Sequence, residues 1–265
     1  AQGVRCMTKS FFGGIWHDRY ILASFVNRDL QARYRRSLLG VLWAIITPLA
    51  LSIIIGTVYA VLFNQDIKVT IPILFAGLNP WTFITASAEG GNTAFINAEG
   101  YLKQLSVNPQ IFPLRTVCIG FINLLYSMMA FYVLYLVLQP QAFGAEMLMV
   151  VPGLLIMFVF CWGFAQIASV ANLYIRDYQP LQSLALQAFF YITPIIYRPA
   201  QLGEKLAFIY QFNPFYYVLE VVKQPLLGNM VSWETYLIAI AITAVIFAVG
   251  TAMVNRCRWK INFKL

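Results

Sequence analysis

Residues 38–63 read LLGVLWAIITPLALSIIIGTVYAVLF, and no charged residue occurs between positions 37 and 65. A helix needs about 20 apolar residues to cross a hydrocarbon core of about 30 Å, so this run is long enough to span a bilayer with some to spare. The whole chain has the same character. Its 265 residues are 60% hydrophobic and 11% charged, with a mean hydropathy of +0.71, whereas a soluble domain carries roughly 25% charged residues. A soluble enzyme and a large extramembrane domain are both excluded.

The charges are bunched, and the gaps between bunches give the other spans. With 38–63 as the first, the uncharged runs predict further spans at 69–88, 116–138, 148–175, 178–197 and 235–255. Asn79-Pro80 is expected to kink or break the second, because proline removes a backbone donor; Gln139-Pro140-Gln141 marks a reversal between the third and fourth. The segment 198–234 stays apolar but is punctuated by Pro199, Gly203, Asn213-Pro214 and Gly228. Its pieces, 205–212 and 215–227, are too short to cross. They read as re-entrant half-helices, with a surface amphipathic loop as the alternative. The expected fold is therefore all-α and polytopic. It has a cytoplasmic arm (1–37), a six-span membrane domain (38–255) and a basic tail (256–265). Loop 89–113 joins the second and third spans, and the outer segment 198–234 joins the fifth and sixth.

Within the arm, Phe11, Ile15, Leu22 and Val26 share a face that Arg19 interrupts, which predicts an interfacial helix over 11–30. Asp29 and Arg33 stand i,i+4 and are expected to pair, with Arg35 and Arg36 at headgroup level. Fourteen of the 18 Lys and Arg fall on the side of the arm, the 89–113 loop, Arg176 and the tail. The positive-inside tendency then puts both termini in the cytoplasm. The net charge of +8 is accounted for by basic residues beside anionic lipid, without nucleic acid as a partner. Of the four cysteines, Cys118 and Cys161 lie in spans and Cys6 and Cys257 on the reducing side, which is no secreted disulfide pattern. No signal peptide is expected, since the first apolar run follows a basic arm of about 36 residues. Met7 is a candidate natural start.

No catalytic or metal-ligating constellation is expected. The single histidine, His17, has no nucleophile arranged beside it, and no P-loop occurs, because the one Lys followed by a hydroxyl residue, Lys9-Ser10, lacks a glycine loop before it. No ionisable residue lies well inside a predicted span, whereas ion-coupled transporters place such residues on the pathway. Two classes stay open: a permease driven by a partner, and a membrane enzyme, such as a glycosyl- or acyltransferase, using loop carboxylates.

Arg28, Asp29, Leu30, Arg33, Tyr34, Leu39, Gly40, Trp43 and Pro48 follow one another at the start of the first span. Phe112-Pro113, Arg176-Asp177, Thr193-Pro194 and Asn213-Pro214 continue the pattern over some 190 positions. In this the chain resembles the integral-membrane subunit of type-2 ABC exporters for polysaccharides and polyol-phosphate polymers. The resemblance implies a multi-pass subunit of the cell inner membrane, with two copies around a central pathway. It implies two copies of a separate ATPase that holds ATP and magnesium, and no cofactor in this chain itself. The implied substrate is a lipid-linked glycan, most like O-antigen, with capsule or teichoic-acid polymers and small molecules or lipids as alternatives. It also makes 100–108 the coupling helix, with Gly100, Tyr101, Leu102, Lys103, Gln104 and Leu105 meeting the ATPase, and the Arg176-Asp177 turn a second contact. Arg33, Arg35 and Arg36 suit a phosphate headgroup at the cytoplasmic side. Aromatic usage is 16%. Trp43, Tyr59, Phe189, Phe190, Tyr191 and Tyr197 stand in or beside spans that the family places at the pathway. Rings can hold the apolar faces of a moving sugar chain without fixing it, and Tyr59, Phe190 and Tyr197 are the leading wall residues.

Overall fold

A computed structural model describes residues 11–35, 37–104, 107–197 and 210–264. The chain runs through α1 (Phe11–His17), α2 (Arg19–Tyr34), α3 (Trp43–Leu62), α4 (Ile67–Thr93), α5 (Glu99–Gln104), α6 (Ile111–Leu138), α7 (Val150–Tyr174), α8 (Tyr178–Ile192), α9 (Pro214–Leu226) and α10 (Trp233–Lys264). No strand occurs among the described residues. Helices are what the composition demands, since in lipid every backbone N–H and C=O must find its partner within its own segment.

Among the described residues, five stretches are long and apolar enough to cross a membrane: Gly40–Leu62, Ile67–Thr93, Ile111–Leu138, Glu146–Tyr174 and Trp233–Arg258. The run expected as the fifth span differs. It is helical only through Ile192, and the 15 residues of α8 reach about 23 Å at 1.5 Å per residue, short of the core thickness. α8 starts where α7 ends and rises to mid-depth, where Phe190 meets Trp81 and Phe189 meets Phe215. Beyond the break at Thr193-Pro194, α9 continues outward from Phe215 to the far end, where the Leu227 carbonyl accepts from the Tyr135 hydroxyl at 3.0 Å. Two stacked short helices thus do the work of one long one. That leaves arm and tail at the same end of the bundle, where Phe25 of α2 and Val254 and Ile261 of α10 share one apolar cluster.

α9 is the described part of the expected re-entrant pair; residues 198–209 of that segment lie outside the described residues. Asn213 fixes it at depth. Its side-chain oxygen caps α9 by accepting from the Phe215 N–H at 3.0 Å, and its amide donates to Thr193 Oγ1 at 2.7 Å. An N-cap buried in this way satisfies a donor that lipid could not.

α4 and α7 form the centre, with α6 and α3 on one flank and α9 and α10 on the other. Phe75, Phe131, Met157, Phe160, Val218 and Val222 fill the space between them. α7 and α10 cross closely because Gly163 has no side chain: a Cβ there would stand 2.6 Å from Phe247 Cα. Small residues let membrane helices approach in this manner. The expected alternative of a break at Asn79-Pro80 does not occur. α4 continues through Pro72 and Pro80, packed by α6, α7 and α9, and the Asn79 amide donates to the Phe75 carbonyl at 3.2 Å.

Candidate functional site

Two surfaces bring the sequence-singled residues together, one at the arm end of the bundle and one within the membrane. At the arm end, α5 turns Leu102 inward, where it is buried with Phe95, Ala98, Ile111 and Val254. The helix presents Gly100, Lys103 and Gln104 outward. Lys103 pairs with Glu99 at 2.5 Å, both half exposed. Leu105 lies outside the described residues. The Arg176-Asp177 turn is exposed at the same end, one residue pair beyond the close of α7.

The arm is built onto this surface. Arg28 donates to the Tyr101 hydroxyl at 2.7 Å, Phe25 stacks on Phe112 and tilts against Tyr101, and buried Asp18 accepts from the Asn108 backbone N–H at 2.9 Å. His17 is exposed beside Asp18, 2.8 Å away. The expected pair of Asp29 with Arg33 is not made. Asp29 instead holds Arg115 through two parallel bonds of 2.5 and 2.6 Å, because the bidentate guanidinium fork outcompetes a single flexible i,i+4 contact. The apolar stripe of the arm likewise faces protein. Ile15 and Leu22 pack on the core and Val26 is buried.

The bundle interior is not free of charge either. Glu220 and Lys223, expected in the second re-entrant half-helix of the outer segment 198–234, are 5% and 2% exposed. Lys223 Nζ donates to the Pro194 carbonyl at 2.5 Å, across the break after α8, and Gln224 donates to Glu220 Oε2 at 2.7 Å. The half-helix expected at 215–227 forms as Pro214–Leu226 and sets these two residues at i and i+3; what the sequence does not show is that the bundle buries them.

The six aromatic candidates fall into two groups, two on α3 and four at the end of α8. Trp43 is half exposed at the start of α3, and Tyr59 tilts against Phe63 near its far end at 5.5 Å. Phe190 packs on Trp81 at 5.9 Å and Phe189 on Phe215 at 5.0 Å, while Tyr191 is exposed. Tyr197 donates to the carbonyl of Ile192 at 3.0 Å, covering the end of α8. Four of the six therefore cluster at the mid-depth break between α8 and α9.

Of the arginines, Arg35 borders a cavity of about 680 Å³ together with Arg28, Gln31, Val41 and Tyr126. Arg33 stands at one end of a slot of about 520 Å³ between α3, α4 and α6. Arg36 lies outside the described residues. Among the described residues no group of His, Cys, Asp and Glu could hold a metal ion.

The model of the ABC-2 type transporter family matches residues 21–227. An O-antigen export system permease protein RfbA of Klebsiella pneumoniae is 27% identical over 246 residues, covering 91% of this chain and 93% of that protein. A second from the same organism is 26% identical over the same length. The protein of that name from Myxococcus xanthus is 28% identical over 194 residues, covering 73% of this chain and 74% of its own.

Proposed function

The chain belongs to the ABC-2 type transporter family, and from that premise we propose that it is the membrane permease of an exporter that moves a lipid-linked O-antigen out of the cytoplasm. The observation that carries this is end-to-end similarity, at 91% coverage of this chain, to permeases named for O-antigen export. The arm end supplies the docking face: α5, the arm bound to it and the Arg176-Asp177 turn form one exposed polar surface on which a separate ATPase, holding ATP and magnesium, drives transport. Two such subunits work with two copies of this chain, both termini facing the cytoplasm across the inner membrane. Arg33, Arg35 and Arg36 receive the phosphate head. The rings gathered where α8 breaks, Phe189, Phe190, Tyr191 and Tyr197, with Tyr59 and Trp43 on α3, wall the path of the sugar chain. Loose contacts at many rings let a polymer slide, where one tight site would stall it.

Deleting the gene and measuring surface O-antigen against cytoplasmic lipid-linked polymer tests the proposal. Surface polymer is expected to fall to background while the lipid-linked form accumulates inside. Unchanged surface polymer with no internal accumulation overturns it.

A further inference from the structure

α8 is loosely held along its length, with only Gln182 and Leu186 of its 15 residues buried. It starts at the Arg176-Asp177 turn, which the proposed function gives to the ATPase, and ends at the break. A push on the turn therefore reaches the break through one rigid helix. There α9 ties it down. Asn213 donates to Thr193 Oγ1 at 2.7 Å, and Lys223 Nζ donates to the Pro194 carbonyl at 2.5 Å and to that of Ile195 at 3.4 Å. These carbonyls follow the C-terminus of a helix at membrane depth, where no water satisfies them and the helix dipole favours a cation.

Lys223 is 2% exposed, and a charge so buried needs an anion. Glu220, three residues back on α9 and 5% exposed, attracts it. The carboxylate is only half used. Its Oε2 accepts from the Gln224 amide at 2.7 Å, and Gln224 is itself held by the Asn229 amide at 2.9 Å. Oε1 is buried with no hydrogen-bond partner. A carboxylate oxygen is a stronger acceptor than a carbonyl, and leaving it bare at this burial has a cost that a purely structural ion pair would remove by closing. The ammonium stands on the carbonyls instead. One flexible side chain thus serves two acceptor sets, the break it now holds and the bare oxygen on its own helix.

We propose that Lys223 is a two-position latch on the α8 break. Seated on the Pro194 and Ile195 carbonyls, it holds the break and the rings around it in place; seated on Glu220 Oε1, it frees α8 to move with the ATPase stroke. This deepens the permease reading and rests on it for the source of the push. The change between seats is a side-chain rotation, so the latch turns without unfolding either helix.

The test reads hydrogen exchange of the full chain in nanodiscs over the peptide 189–197, with peptides of α10 as control. Lys223→Met removes the cation and is expected to speed exchange at the break about tenfold, the loss of one hydrogen bond to a charged group, with α10 unchanged. Glu220→Gln keeps the cation on the carbonyls and removes the second seat. Its break is expected to exchange no faster than that of the unaltered chain, while surface polymer in cells falls about tenfold at matched expression because the released position is depopulated. Glu220→Gln with Lys223→Met is expected to exchange like Lys223→Met, which separates the latch from the effect of an unpaired carboxylate. The double variant also carries the readout if Lys223→Met fails to insert. Glu220→Asp, whose carboxyl stops a methylene short, replaces Glu220→Gln on the same ground. Exchange in Glu220→Gln as fast as in Lys223→Met overturns the inference, since it marks a purely structural ion pair. Slow exchange in both variants that lack the lysine overturns it too, as does full export by Glu220→Gln. Exchange is read without substrate or ATPase. A loosened break with surface polymer intact after gene deletion therefore overturns the glycan reading alone, and an export loss on deletion with an unmoved break overturns the latch alone.

Discussion

At the residue scale, the contact that most directly ties arm to bundle is Asp29 with Arg115. The side chains are 27% and 15% exposed and joined by two bonds, and Arg115 also lies over the Phe25 ring at 5.1 Å. Partial burial puts this pair between a surface ion pair and a fully buried one. A double-mutant cycle of Asp29→Ala and Arg115→Ala, read by thermal unfolding of the detergent-solubilised protein, is expected to give a coupling energy of about 1–3 kcal/mol. Arg115→Lys is not expected to restore it, since an ammonium cannot make the bidentate fork. Purely additive single-mutant effects would show that the pair contributes nothing. The sequence contained both residues yet pointed Asp29 at Arg33. Local spacing is visible in a sequence, and a partner 86 positions away is not. The same blindness hid Asp18 on the Asn108 N–H and Lys223 on the Pro194 carbonyl.

At the element scale, helices with a membrane to cross were legible because the bilayer imposes a length and forbids charge, so gaps between charges locate them to within a few residues. α8 escaped this logic. Its uncharged run continues past Thr193, and the helix stops where it does because Asn213 and Lys223 from another segment bond to Thr193 and Pro194. α5 shows the opposite case: resemblance placed a coupling helix over 100–108, the helix described there is Glu99–Gln104 with 107 and 108 outside it, and its two faces emerged only on folding. Its inward residue and its outward ones are expected to fail differently. Leu102→Asp buries a charge without a partner and is expected to destabilise the arm end by about 3 kcal/mol or more, seen as a lowered unfolding midpoint. Lys103→Ala with Gln104→Ala removes only exposed atoms, and is expected to leave that midpoint within about 0.5 kcal/mol while cutting polymer export in cells. Normal export by the double variant at matched expression rules α5 out as the ATPase contact.

At the scale of the whole molecule, the closed interior decides how transport can be arranged. Between α4, α6 and α7 the space is filled by Phe83, Phe121 and Phe158 in edge contacts of 5.7 and 5.0 Å, and by Phe75 against Phe131 at 5.4 Å. A bulky glycan has no course through such packing, which is as dense as an organic crystal. α3, by contrast, is the least buried of the long helices, and α8 turns Leu181, Leu184 and Tyr191 outward. The proposed arrangement, with the conduit between two copies and not within one, follows from this packing. The proposed function assigns its power to a separate ATPase, and the sequence of this chain holds no P-loop. The purified chain alone is then expected to show no magnesium-dependent ATP hydrolysis above background, and co-expression with the ATPase to yield a complex whose native mass corresponds to two of each. Hydrolysis by the isolated chain would reverse the assignment of roles. A one-to-one complex that still exports would force the polymer through a single bundle, which the packed phenylalanines could allow only by separating α4 from α6 and α7.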